Sequence, residues 1–164
     1  MLKFKIEQVA IAPKDPARAR ALLAALGAIA WAEDLVVADG EVFGTKGTNV
    51  AALAFNYELG RDDGKPLEFE VLDYKAGANW VDEGGGRNVV SHLGMHCQAA
   101  DLVPVHNVMT RHGCSVVQEV NTLSHTNPVI ANSRRYRYVI YGTRHILGVD
   151  LKFIVRRELP GASG

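Results

Sequence analysis

Side chains two apart on a β-strand point to the same face. Four segments of this sequence use that spacing to put candidate ligands on one face and apolar residues on the other. In the first, Gln8 shares a face with Ala10 and Ala12, opposite Val9 and Ile11. In the second, Glu68 and Glu70 lie opposite Leu67, Phe69 and Val71. In the third, His92, Gly94 and His96 lie opposite Leu93 and Met95. In the fourth, Asp150 and Lys152 lie opposite Val149, Leu151 and Phe153. If these faces converge in a trough, Gln8, Glu68 or Glu70, His92 and Asp150 meet. One imidazole, two carboxylates and an amide oxygen make a mixed nitrogen–oxygen set suited to Zn, Ni, Mn or Fe(II). The same alternation suits the solvent faces of antiparallel strands, so periodicity alone leaves both readings open. His96 is a candidate alternate ligand, supporting group or general base.

Other residue types could handle a substrate. His125 sits in the polar stretch Ser124-His125-Thr126-Asn127-Pro128, where a loop histidine beside a cavity could bind substrate or move a proton. Arg135 and Arg137 share a strand face, with Tyr136 and Tyr138 on the other. Paired guanidinium groups hold carboxylates or phosphates bidentately, although charges on an exposed strand also discourage edge pairing. His145 could meet an anion at the mouth of the trough. His106 and His112 fall on a helical segment and read as surface residues. Trp31, Phe55, Tyr57 and Trp80 could line an aromatic pocket in a metal-free binding protein.

These residues need elements to position them. Ile6 to Ala12 alternates as a strand. Asp15 is a good N-cap, Pro16 suits the first helical position and Gly27 the residue after the helix. Strands are expected at Trp31 to Val37, at Glu41 to Phe43 with Asn49 to Tyr57 beyond it, and at Leu67 to Tyr74. Asp39-Gly40 and Asp63-Gly64 mark turns. The second half repeats the order. Val89 to Cys97 reads as a strand, and Asp101 to Gly113 as a helix with an Asp cap and a terminal Gly. Ser115 to Val120, Tyr136 to Tyr141 and Leu147 to Val155 read as strands. His92 follows Gln8 by 84 positions, and Val149-Asp150-Leu151-Lys152 follows Leu67-Glu68-Phe69-Glu70 by 82. The expected fold is therefore α+β, a single domain of two βαβββ modules with helices outside a cupped, mostly antiparallel sheet. Module one spans 4–80, a glycine linker 83–88, module two 89–157 and a tail 158–164.

Composition agrees with such a domain. The chain has 164 residues, 48% hydrophobic and 22% charged, with 18 basic residues balancing 18 acidic ones. That apolar fraction excludes a disordered chain, and the balance argues against a nucleic-acid module. No stretch approaches the roughly 20 apolar residues of a membrane span. The first residues lack a signal-peptide pattern. Cys97 and Cys114 read as reduced core thiols, so a cytoplasmic location is expected.

Gln8-Val9-Ala10-Ile11-Ala12-Pro13-Lys14-Asp15 and His92-Leu93-Gly94-Met95-His96-Cys97 resemble the opening-strand pattern of the vicinal oxygen chelate superfamily, which includes glyoxalases, bleomycin-resistance proteins and extradiol dioxygenases. The resemblance covers roughly residues 4 to 157. It implies a cupped sheet around a divalent metal held by Gln8, Glu68 or Glu70, His92 and Asp150. Glu68 aligns with Asp150 by the internal repeat, while Glu70-Val71-Leu72 resembles the superfamily's Glu-apolar-apolar motif. The order Gln, Glu, His, acid is similar to zinc-type lactoylglutathione lyases, with Asp150 where a Glu is usual. The implied function is a metal-dependent enzyme, of lyase, isomerase or dioxygenase type, acting on a small oxygenated substrate. Glu68, Glu70 or His96 would be its base, and Arg135, Arg137 and His125 would bind substrate. The alternative is a metal-free protein that sequesters a small molecule. A homodimer is expected by the same resemblance.

Overall fold

The computed structural model describes residues 4–59, 67–77 and 91–160. Trp80, the Asp63-Gly64 turn, the 83–88 linker and the end of the tail lie outside the described residues. The alternating segments form strands and the alanine- and leucine-rich segment a helix, in the order β1 (Gln8–Ile11), α1 (Pro16–Ala25), β2 (Ala32–Val42), β3 (Thr45–Asn56) and β4 (Glu68–Ala76). The order then continues as β5 (His92–Cys97), α2 (Leu102–Arg111), β6 (Val116–His125), α3 (Pro128–Ala131), β7 (Arg134–Tyr141), α4 (Arg144–Leu147) and β8 (Asp150–Glu158). The short helices α3 and α4 are additions to the expected pattern.

The strands close into one barrel in the order β1-β4-β3-β2-β6-β7-β8-β5. The α+β class agrees with the sequence reading, and the cupped sheet is a closed one. Pairing is antiparallel except at β1/β4 and β5/β8, which are parallel. The seam is the antiparallel β1/β5 pair, where Gln8 faces Gly94 and Ala10 faces His92. Among the described residues, closure leaves no free sheet edge and makes the inner face an enclosed volume.

Turn chemistry differs from the sequence reading at one point. Asp39-Gly40 lies inside β2, with Gly40 opposite Gly47 of β3. The hairpin instead turns at Phe43-Gly44, with φ of 47° and 81°. Two consecutive positive φ values give the twist that a two-residue hairpin needs. Gly40 serves close approach: a Cβ there would lie 2.1 Å from the Glu119 carbonyl oxygen of β6.

Both long helices end alike. Ala28 N donates to Leu23 O and Gly27 N to Ala24 O, while Cys114 N donates to Met109 O and Gly113 N to Thr110 O. This is the Schellman arrangement, with Gly27 at φ 108° and Gly113 at φ 71°. Asp15 caps α1 by accepting from Arg18 N at 2.9 Å. Asp101 instead reaches back to Gln98 N at 2.9 Å, closing a 3-10 turn before α2.

Burial has two centres. Ala10, Val36, Ala38, Leu53, Leu72 and Val120 pack inside the barrel with part of Tyr138. Met95, Phe153 and Val155 pack outward against Leu102 and Val105 of α2. The apolar faces of β5 and β8 are thus spent on the helix, which turns His92 and Lys152 into the barrel. Gly40→Ala should lower unfolding free energy by about 2–3 kcal/mol, through the clash with β6. Gly47→Ala, with nothing within 4 Å of the added Cβ, should change it by less than about 0.5 kcal/mol. Denaturant titration of the two variants compares them directly.

Candidate functional site

The inward faces of β1, β4, β5 and β8 meet in a buried polar cluster. Gln8, Glu70, His92 and Lys152 are 4%, 1%, 2% and 5% exposed. The Gln8 Oε1 atom lies 3.0 Å from His92 Nε2 and accepts from Lys152 Nζ at 3.1 Å. Glu70 Oε2 stands 3.6 Å from His92 Nε2 and 3.9 Å from Lys152 Nζ. The ammonium also sits 4.3 Å from the centre of the Tyr138 ring, within cation–π range. On its other end, the Gln8 amide donates to Glu68. That bond orients the amide, so its oxygen faces the cluster and His92 Nε2 carries the proton between them. Gly94 makes room for this side chain: a Cβ there would lie 2.8 Å from Gln8 Oε1.

Burial pushes the Glu70 carboxyl up to about 7; the Lys152 charge opposes the rise and the Glu68 charge adds to it. Its Oε2 atom is buried without a hydrogen-bond partner. Burial, with the Glu70 charge, also holds the Tyr138 hydroxyl well above its ordinary value.

A cavity of about 240 Å³ adjoins the cluster, lined by Gln8, Glu68 and Glu70 and by the aromatic side chains Phe55, Tyr57, Tyr136 and Tyr138. Its wall also includes Asp34, His125 and Arg134. Asp34 and His125 form a buried pair, each side chain 1% exposed, with Nδ1 to Oδ2 at 2.7 Å. The other Asp34 oxygen accepts from Thr126 N at 2.8 Å and Asn127 N at 2.9 Å. Burial raises the Asp34 pKa, but the bonds from His125 and from the Asn127 and Thr126 backbone outweigh it and hold the carboxyl below its ordinary value. An ionised Asp34 fixes the proton on His125 Nδ1 and leaves Nε2 as the lone-pair nitrogen. That Nε2, Glu70 Oε2 and Arg134 Nε are all buried without partners, and all three residues line this cavity.

The structure brings Gln8, Glu70 and His92 together and places the other candidates elsewhere. Asp150 is held by Arg144, with Nε to Oδ2 at 3.0 Å and Arg144 N to Oδ1 at 3.2 Å. Glu68 stays on the cavity wall, where it accepts from Tyr57 OH at 3.0 Å. His96 is about half exposed at the cavity rim, 3.0 Å from Glu7. Arg135 donates to the carbonyls of Leu123, Ala131 and Arg134, tying β6 to α3 and β7. Arg137 pairs with Glu119. Neither arginine lines the cavity; their neighbour Arg134 does, together with Tyr136 and Tyr138.

Two residues escaped the sequence reading. Asp34 alternates with Val36 and Ala38 on the buried face of β2, so a lone carboxylate on an apolar stripe was its signal. Arg134 shares its strand face with the two tyrosines. His125 ends β6 and lies within its register, opposite Val36.

The metal implied by the resemblance does not fit the cluster. Gln8 Oε1 accepts from both Lys152 Nζ and His92 Nε2, so its two lone pairs are taken and His92 Nε2 presents a proton. A divalent ion would also stand beside an ammonium, where repulsion is on the order of 4 kcal/mol per unit charge at 4 Å and an effective dielectric of 20. Among the described residues, no three His, Cys, Asp or Glu side chains are grouped so as to hold an ion.

A carboxyl that is easier to protonate in the folded chain stabilises the fold most at low pH, and that contribution is lost as pH rises. For Glu70 the fall lies between about pH 4.5 and pH 7. Glu70→Gln should flatten it, a difference on the order of 2–3 kcal/mol. Unfolding both proteins by denaturant from pH 4 to pH 8 measures the difference.

No protein-family model and no curated protein matches the chain. Solved structures do match. A methylmalonyl-CoA epimerase variant from Streptomyces coelicolor, in complex with 2-nitronate-propionyl-CoA, is 16% identical, with 92% of this chain and 96% of that one covered at a TM-score of 0.47. A hypothetical protein from Bacillus halodurans is 12% identical, with 96% and 98% covered at 0.48. Methylmalonyl-CoA epimerase in complex with methylmalonyl-CoA and NH4+ is 16% identical, with 93% and 94% covered at 0.46. At these identities and scores the likeness says nothing about chemistry.

Proposed function

We propose that this chain is an acid–base enzyme that removes a carbon-bound proton from a small carbonyl compound held in the cavity beside Asp34, His125 and Arg134. The observation that carries the reading is His125 itself. It is a buried imidazole, oriented by a carboxylate 2.7 Å away, with its second nitrogen buried and unpartnered, in a residue that lines a cavity. That is the arrangement of a positioned general base. The Nε2 lone pair takes the proton, and the electron pair of the broken C–H bond moves onto the carbonyl oxygen as an enolate. Asp34 stabilises the imidazolium so formed. Arg134 supplies positive charge for the oxyanion or a carboxylate of the substrate. Return of the proton to the same carbon, or to a neighbouring one, completes an isomerisation; departure of a leaving group makes a lyase.

Three unpartnered polar atoms on residues that line the cavity support a ligand. Each costs about 1–3 kcal/mol while unpaired, and a bound polar molecule would offset that cost. The volume favours a compact substrate, since about 240 Å³ lies below the roughly 300–1,000 Å³ of drug-sized sites. The ring of Phe55, Tyr57, Tyr136 and Tyr138 favours a second reading, sequestration of a small ligand without chemistry.

Deuterium exchange separates the two. Wild-type protein is incubated in D2O with a panel of 2-oxo acids, hydroxyketones and simple acyl thioesters, and exchange at the carbon next to the carbonyl is followed by NMR. Exchange is expected for at least one compound and should fall about 10²–10⁴-fold in His125→Gln. Asp34→Asn should lose much of it through the wrong imidazole tautomer. Binding without exchange, or exchange unchanged in His125→Gln, overturns the enzyme reading.

A further inference from the structure

We infer that the Lys152 ammonium is a built-in cation that takes the place of a divalent ion at the centre of the barrel, so that this chain's centre works without a metal. The register of the two parallel strand pairs carries the argument. Gln8 pairs with Glu68, and Glu70 lies two residues further along β4. His92 pairs with Asp150, and Lys152 lies two residues further along β8. Lys152 therefore occupies on β8 the place that Glu70 occupies on β4. A carboxylate there would join Gln8, Glu70 and His92 in a four-donor set. A lysine there puts a positive charge among the same donors.

The surroundings are those of a cation. A neutral oxygen at 3.1 Å, a carboxylate at 3.9 Å and an aromatic face at 4.3 Å surround Nζ. Gln8 Oε1, Glu70 Oε2 and the Tyr138 ring are all electron-rich, and each is placed as it would be around a small positive ion. The Lys152 residue is 5% exposed, so its charge is balanced from within the barrel and little by water. The inference is independent of His125 and of any substrate.

Tag-free wild-type protein and Lys152→Glu are each incubated with Zn, Ni or Mn salts and desalted, and bound ion is measured by elemental analysis alongside Tm. Wild type is expected to retain no ion and to show no Tm shift. Lys152→Glu should retain about one ion per chain and gain about 3 °C or more in Tm, reversed by EDTA. Adding His92→Ala to Lys152→Glu should abolish both effects. Wild type that retains one ion per chain in a His92-dependent way overturns the inference, as does folded Lys152→Glu that retains none. If circular dichroism shows Lys152→Glu unfolded, Lys152→Gln replaces it: retention above wild type supports the inference, and a folded variant with none overturns it. These readouts need no substrate, so a failure of deuterium exchange leaves them interpretable.

Discussion

The interior of this barrel is organised around one buried charge. An ammonium more than nine-tenths removed from water must find its counter-charge and hydrogen bonds inside the protein. Lys152 reaches Gln8, Glu70 and the Tyr138 face, which come from three other strands. Closure of the sheet through the β1/β5 seam is what brings β1 beside the strands of the second half. Gly94 leaves the space that the Gln8 amide fills on its way inward. Opening the seam would therefore strand a charge and a carboxylate together. The ion pair is weak evidence of net stability, because its desolvation offsets much of its attraction. Its firmer consequence is geometric, since it sets which residues can share the centre.

That centre and the adjoining cavity handle polarity differently. In the cluster, Gln8 connects Glu68, His92 and Lys152 in one network, so most of its polar atoms are satisfied. Around the cavity, His125 Nε2, Glu70 Oε2 and Arg134 Nε are left without partners. Folded proteins pair nearly all such atoms, so three of them on residues that line one cavity set that region apart from the satisfied cluster. Glu70 belongs to both regions and couples them: its carboxyl feels the Lys152 charge from one side and lines the cavity on the other. The aromatic side chains do the same in apolar terms, with Tyr138 stacked on Tyr136 at 5.7 Å and also facing the ammonium.

Much of the fold was legible because its signals are local. Alternation marked β1, β4, β5 and β8, and Gly27 and Gly113 marked the helix ends that the Schellman bonds close. The Asp39-Gly40 turn failed for a non-local reason. Glycine there serves the approach of β6, while the less obvious Phe43-Gly44 makes the turn. Asp101 failed similarly, because its carboxylate has a nearer donor in Gln98 N. Of the site, the alternation at Gln8, Glu70 and His92 was visible in their strands. Asp34 and Arg134 were not, because a carboxylate in an apolar strand and an arginine in a basic run have no meaning until the opposite wall is known.

By itself, the sequence determined which residues share a strand face, where the long helices begin and end, and that polar groups would line one side of four strands. A side-chain period of two and the backbone needs of glycine and proline are enough for that. Only the tertiary structure decided what those polar groups are to one another. Strand register placed Lys152 where a carboxylate was expected to reach, and gave Asp150 to Arg144. Antiparallel pairing of β2 with β6 brought Asp34 against His125, 91 positions away. Charge, hydrogen bonding and desolvation act over a few ångströms of space, and no spacing along the chain encodes which distant residue will occupy them.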